Sequence, residues 1–350
     1  PKNERRTDMT NQQQHILPTT VIGSYATPGW MYTALDEIDK GNYGQTDIRE
    51  LFDDAVNMAI MDHERAGVDI ITDGEMRRWY FVQSFYKRIH GIVADPALRK
   101  VGLYGYDSPV RYHTVDKISV PDGLGIVEEF QYTKAHTSKP IKATCPGPLT
   151  ISMHIRPRDV YKDRHELAWQ FAPIINAELK ALVEQGANFI QLDEPAFAII
   201  PGEMGDWIDL LNACLEGVKA KLALHVCFGN LASRPRGKRQ YGWMFPGLLD
   251  VNVEQFVLEF ANREMAEIGL WNEKGIDREL GAGIIDIKSF YVETPEDVAE
   301  RIHELLKYVP KEKLYISPDC GFFQLPRWLS YLKLKAMVEG VKIVRREIET

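Results

Sequence analysis

The sequence has no excess of basic residues: 42 lysines and arginines stand against 50 aspartates and glutamates, a net charge of −8. A nucleic-acid protein needs the opposite balance to neutralise phosphates. There is no uninterrupted apolar run of about 18 residues, the least that spans a bilayer as a helix. Residues 1–14 lack the apolar stretch of a secretory signal, so residues 1–15 read as a disordered arm, with Met9 a candidate natural start. Cysteine is scarce. Cys145, Cys214, Cys227 and Cys320 are too few for a disulfide scaffold. These features place the chain in the cytoplasm, where such thiols are core residues, metal ligands or nucleophiles. Short repeats, low-complexity segments and a G-x-G-x-x-G after the first strand are also missing, which argues against a dinucleotide-binding open sheet.

What remains is an ordinary folded composition, 45% hydrophobic and 26% charged. Eight short β-branched or apolar runs recur: 19–23 (TTVIG), 68–72 (VDIIT), 141–145 (IKATC), 188–192 (NFIQL), 222–227 (LALHVC), 251–259 (VNVEQFVLE), 280–287 (LGAGIIDI) and 314–317 (LYIS). Helical patterns separate them, at 48–66, 158–185, 204–220, 295–308 and 325–339, with Pro295 after Thr294 as a helix-start signal. Eight strands alternating with helices predict a parallel sheet, and eight is the number that closes a (β/α)8 TIM barrel. Residues 16–350 are accordingly expected to form one α/β barrel domain. Residues 110–139 break the alternation with strand-like pieces, RYHTV and IVEEFQYTK, and read as a β-hairpin excursion after the second strand.

Ionisable residues collect where the strands end: Ser24, Glu75, Asp193, Glu194, His225, Cys227, Glu259, Asp286, Lys288, Asp319 and Cys320. In a barrel these ends share one rim, where active sites of that fold are built. His225-Val226-Cys227 is the sharpest signal, because residues i and i+2 of a strand point to the same face and can reach one ion. Zinc accepts such mixed nitrogen and sulfur ligands, and Cys320 and Glu259, at the ends of two other strands, are placed to complete a tetrahedron. Glu254 is a rival carboxylate, but it lies farther from the strand's end and on the opposite face from Glu259. The bland alternative is that H-x-C is only a core pair. Cys145 and Cys214 read as core cysteines; His63, His165 and His303 read as surface or helix-packing residues. The run Arg234, Arg236, Lys238, Arg239 is an anion-binding candidate beside the expected metal. Asp193 with Glu194, and Glu75, are rim carboxylates suited to an ammonium group or to acid–base work.

The motifs I-G-S (22–24), D-G-E (73–75), G-P-L-T (147–150), Q-L-D-E-P-A (191–196), H-x-C (225–227), L-E-F (258–260), D-I-K-S (286–289) and P-D-C-G (318–321) occur in the order found in one family. The chain resembles the catalytic, C-terminal half of cobalamin-independent methionine synthase over nearly its whole length. That resemblance implies zinc held by His225, Cys227, Glu259 and Cys320, with Ser24, Glu75 and Asp193 holding the amino-acid end of homocysteine. A metal-bound thiol is deprotonated near neutral pH and becomes the nucleophile for methyl transfer. Asp193 and Lys288 are the catalytic candidates. His154 joins the substrate-binding set, although it stands where full-length members carry a tryptophan assigned to the pterin. Lys288 replaces the histidine proposed to protonate the departing folate nitrogen, and at an ordinary pKa near 10.4 lysine is a poor donor at neutral pH. The family's N-terminal half is also missing. A corrinoid protein is therefore a candidate methyl donor and partner. Two rival functions stand beside this one. Epoxyalkane:coenzyme M transferase chemistry would need Arg77, Arg78 or the 234–239 loop to face a sulfonate, and a non-catalytic zinc barrel would need no open metal position.

Overall fold

The structure, a computed structural model, describes residues 16–78, 81–95, 110–200, 203–229 and 239–350. The expected arm at 1–15 and the basic residues Arg234, Arg236 and Lys238 lie outside the described residues.

In chain order the strands are β1 (His90–Asp95), β2 (Arg111–Ser119), β3 (Ala143–Pro146), β4 (Ile155–Arg156), β5 (Phe189–Asp193), β6 (Lys221–Val226), β7 (Gln255–Glu259), β8 (Glu279–Ile285) and β9 (Leu314–Pro318). Six of them form a parallel sheet in the order β3-β5-β6-β7-β8-β9. Two expected strands shrink to parallel bridges that close the ring, Thr19 to Ile316, Thr20 to Ile70 and Ile71 to Ile141. The reason is local. Pro18 and Pro140 have no N–H to give a ladder, and the Asp69 carboxylate takes the Thr19 N–H and hydroxyl at 2.8 Å each. The result is the expected α/β barrel, with eight strand positions around one axis.

Period-2 alternation decides what enters the barrel. Phe189, Ala223, Val257 and Ile22 form a small apolar cluster of their own inside it. The larger apolar core lies between sheet and helices, where Leu192, Leu224, Phe256 and Leu258 meet helix residues such as Leu179, Leu211 and Ile302. The helix Pro295–Leu306 begins as its sequence predicts: the Thr294 hydroxyl accepts from Asp297 N at 3.1 Å and Thr294 N donates to the Asp297 carboxylate at 2.8 Å. A cap of this kind contributes about 1 kcal/mol.

The excursion after the second strand position is present but built differently. RYHTV lies in β2, which pairs antiparallel with β1, and β4 pairs parallel on the other side of β2. IVEEFQYTK is not a strand; it is most of the helix Ile126–His136. Its buried residues Ile126, Phe130 and Thr133 recur at helical spacing, and Gly125 at φ 92° starts it. The Glu178 carboxylate accepts from Leu124 N, Ile126 N and Val127 N at 2.9, 2.8 and 3.3 Å, satisfying the open donors at that end. That cap comes from a residue fifty positions away, so local pattern misreads the segment.

Candidate active site and metal centre

His225, near the end of β6, and Cys227, just past it, share the inward face. Cys320 follows β9. The ligand atoms of these three lie within 4.8 Å of one another. The sulfurs of Cys227 and Cys320 are 3.7 Å apart, and both are free thiols. His225 Nδ1 is 2.8 Å from Asp193 Oδ1, whereas its Nε2 is buried with no hydrogen-bond partner among the described residues. A buried imidazole nitrogen without a partner costs energy unless something else occupies its lone pair. Two thiols and an open imidazole nitrogen converging on one point fit a borderline-soft metal ion.

Glu259, the last residue of β7, is fully buried on the same rim. It stands outside that three-residue set. Its Oε2 is 3.0 Å from Lys288 Nζ, and its Oε1 is 3.6 Å from the Arg239 guanidinium. Glu254 is exposed and its carboxylate accepts from Leu222 N at 2.8 Å, away from the rim. Tyr241, which no sequence pattern marked, ties the strand ends together: its hydroxyl donates to Val226 O at 3.0 Å and accepts from Glu259 N at 2.9 Å. Asp319 holds the loop after β7 by accepting from Phe260, Ala261 and Asn262 N–H groups. Asp286 accepts from Lys288 N at 2.8 Å and from the Asn262 amide, a turn-forming role.

These contacts set the electrostatics. Hydrogen bonding from Cys227 lowers the pKa of the Cys320 thiol, against burial and with help from His225 and Lys288, while Cys227 itself is pushed up. Burial would lower Lys288, but Glu259, Asp319 and the two cysteines reverse this and hold it a firm cation.

The other side of the rim is carboxylate-rich. Glu75 ends the turn Asp73-Gly74-Glu75 at φ 53°, a left-handed conformation that costs a non-glycine residue of order 1 kcal/mol. That turn swings its carboxylate over Gly23, where an added Cβ would sit 2.5 Å from Oε1. Arg78 Nη1 and the Thr144 hydroxyl donate to the same Oε1 at 2.9 and 2.8 Å. Burial raises the Glu75 pKa to about 7, Arg78 opposes it, and Asp193 and Asp73 add to it. Ser24 packs against Gly321 so closely that any side chain at 321 would overlap its hydroxyl. Asp193 Oδ1 also accepts from Gln191 Nε2 at 2.7 Å, and its Oδ2 accepts no hydrogen bond from the described residues.

Several expectations change here. Asp193 and Glu194 do not act as a pair: Glu194 turns away to accept from Leu149 N at 2.9 Å and from Thr150, stabilising the turn after β3. Arg78 is buried and committed to Glu75, Glu129 and Thr144, and Arg77 pairs with Asp53 and lies 4.7 Å over the Tyr132 ring. Neither arginine is available to a sulfonate. Arg239, the described member of the basic run, is bound to Asn262. His154 precedes β4, and its carbonyl accepts from Tyr112 N at 2.9 Å. Cys145 and Cys214 are core residues, as expected. Among the described residues no helix is long and apolar enough to cross a membrane.

Comparison with known proteins gives the family. Residues 17–342 match the family described as cobalamin-independent synthase, catalytic domain. A methionine synthase of Sulfurisphaera tokodaii is 38% identical over 335 residues, covering 95% of this chain and 94% of that protein. One from Thermococcus kodakarensis is 37% identical over 334 residues, covering 95% of each. The single-barrel length is thus shared with these relatives. A B12-independent methionine synthase from Shewanella sp. W3-18-1, solved in complex with selenomethionine, superposes with a TM-score of 0.82 at 29% identity, over 95% of this chain and 99% of that one. A methyltransferase from Methanosarcina mazei, at 15% identity and a TM-score of 0.62 over 96% and 95% of the two chains, shares the fold. With the matching model spanning nearly the whole barrel, the chain belongs to the cobalamin-independent synthase catalytic-domain family.

Proposed function

We propose that this protein is a zinc-dependent methyltransferase that forms methionine from homocysteine, using a donor other than a folate. The observation that carries the reading is the buried, open Nε2 of His225 facing two thiols, beside the carboxylates of Glu75 and Asp193. Zinc is favoured because two sulfurs each about 2.3 Å from a tetrahedral ion lie roughly 3.8 Å apart, close to the 3.7 Å between Cys227 and Cys320. His225, Cys227 and Cys320 would hold it, with Glu259 as the fourth, exchangeable ligand. When bound, zinc lowers the pKa of an incoming thiol and keeps it a thiolate near neutral pH.

The chain's residues do the rest. Asp193 Oδ2 and Glu75 would accept the ammonium of homocysteine, with Ser24, the chain neighbour of the Gly23 that meets the Glu75 carboxylate, completing the set, so that the sulfur is oriented for in-line attack on a methyl carbon. The bonding pair leaves with the donor. Folate nitrogen needs a proton to leave, and Lys288 is a firm cation already bonded to Glu259, a poor acid at neutral pH. A methylcorrinoid, whose leaving group needs no proton, suits the site better, and a corrinoid protein is the partner class this favours. Coenzyme M is disfavoured because Arg77 and Arg78 are already paired. A purely structural metal site is disfavoured because the carboxylates of Asp193 and Glu75 lie beside the ligands.

Zinc-loaded protein incubated with homocysteine or coenzyme M, against methylcobalamin, methyltetrahydrofolate and epoxypropane, tests this. Methionine from methylcobalamin should exceed that from the monoglutamate folate by a wide margin. Robust folate turnover would overturn the donor, and product from coenzyme M and epoxypropane alone would overturn the acceptor. No product from any pair would leave a non-catalytic barrel.

A further inference from the structure

Inside the barrel, beneath the rim, lies a lysine that none of the chemistry above uses. Lys142 is 1% exposed, on the strand position leading into β3. Its Nζ donates to Gln191 Oε1 at 2.5 Å. Gln191, fully buried in β5, donates from Nε2 to Asp193 Oδ1 at 2.7 Å and to Ile22 O at 2.9 Å. The same Asp193 oxygen meets His225 Nδ1 at 2.8 Å. We propose that Lys142 and Gln191 are positioning residues for the metal ligand His225, acting through Asp193. This rests on the zinc reading of the site.

The argument is one of donor and acceptor identity. Burial lowers the Lys142 pKa to about 7; in its ammonium form the group only donates, and its partner on Gln191 is then the carbonyl oxygen. The carboxamide NH2 is thereby turned toward Asp193 and Ile22 O, both acceptors, and the amide has one orientation consistent with all three neighbours. Asp193 Oδ1, held from below by Gln191, accepts from His225 and fixes the proton on Nδ1. The lone pair is then on Nε2, the atom left open in the metal cluster. Without Lys142 the Gln191 oxygen is left buried without its donor, and the amide is held only through Nε2 by Asp193 and Ile22 O, which loosens its hold on Asp193 and, through it, on the imidazole. A buried lysine with no carboxylate in direct contact is costly. Holding Gln191 gives it a role at the one site above it where orientation matters.

The test compares wild type with Gln191→Leu, Gln191→Glu and Lys142→Met, measuring zinc affinity by chelator competition and, in metal-free protein, the His225 tautomer by nitrogen NMR. Outer-shell partners of this kind are worth about 10–100-fold in metal affinity, and each variant should lose an amount in that range. Gln191→Glu keeps volume and the Lys142 contact, so it remains readable where the apolar variants fail to fold. The tautomer should be Nδ1-protonated in wild type and mixed in the variants. Unchanged affinity together with an unchanged tautomer in folded variants would overturn the proposal. A wild type that binds no zinc, but whose tautomer still shifts in the variants, would sink the zinc reading and leave the relay standing.

Discussion

The two halves of the rim are built on opposite principles. On the side of β6, β7 and β9 the ligand-type atoms are under-satisfied among the described residues: His225 Nε2 has no partner, the Cys227 and Cys320 sulfurs face each other, and Glu259 Oε1 accepts no hydrogen bond. On the side of the first four strand positions, one Glu75 oxygen is held by Arg78 and Thr144, and Arg78 is in turn held by Glu129. Burying polar atoms without partners is expensive unless a ligand completes them. The first half is therefore shaped for an ion the chain itself does not supply. The second is preorganised, with its geometry set before a substrate arrives. Asp193 stands between them, one oxygen committed to His225.

Removing a ligand from the unsatisfied half should have the largest effect. Zinc needs its protein ligands to stay bound, and His225→Ala or Cys320→Ser should be isolated essentially free of zinc by metal analysis. Full zinc content in either variant would take that residue out of the ligand set. Glu259→Gln should weaken the site less, since its carboxylate already has Lys288 as an alternative partner.

The satisfied half should respond in stability and not in metal content. Arg78→Met leaves Glu75 and Glu129 buried beside one another without their shared cation, and breaking a buried pair from one side costs about 3–5 kcal/mol. Denaturant unfolding of the metal-loaded protein should show this loss, with zinc still bound at wild-type stoichiometry. A variant that lost zinc and kept its stability would erase the distinction between the two halves.

How much of this was legible in the sequence follows the same division. H-x-C reads at once because a strand's period of two puts both side chains on one face, and P-D-C-G marks the end of another strand. Glu259 was separable from Glu254 by counting along one strand. The satisfied half was harder. Glu75 is visible in D-G-E, but Arg78 looks like a loop cation until Glu129 and Thr144, brought in from later segments, are seen around it. Lys142 and Gln191 were present as polar residues inside apolar strand runs, a signal with no local partner to interpret it. The cap of helix Ile126–His136 has no local signature because Glu178, which supplies it, lies on another helix. The first two barrel strands show only as bridges: Pro18 precedes the first, and Pro140 precedes the third strand, which the second faces, so both withhold ladder donors.

Asp193 allows the comparison to be split at a single residue. An asparagine keeps an oxygen that can accept from His225 Nδ1–H and Gln191 Nε2, but it places an NH2 group at Oδ2, the oxygen proposed to take the ammonium. Asp193→Asn should therefore bind zinc with nearly wild-type affinity and lose its grip on the ammonium of homocysteine. A lost hydrogen bond to a charged group costs about 1.5–3 kcal/mol, which corresponds to a rise in KM of roughly 10–150-fold. Asp193→Ala removes both functions and should add a fall in zinc affinity of about 10–100-fold, the worth of an outer-shell partner to a metal-bound histidine. The measurement is a pair of titrations on each variant, zinc by chelator competition and homocysteine by initial rate at saturating methyl donor. If Asn and Ala lose zinc equally, Asp193 serves the metal side alone. If neither changes KM, the ammonium is held elsewhere, and Glu75 becomes the residue on which amino-acid recognition must rest.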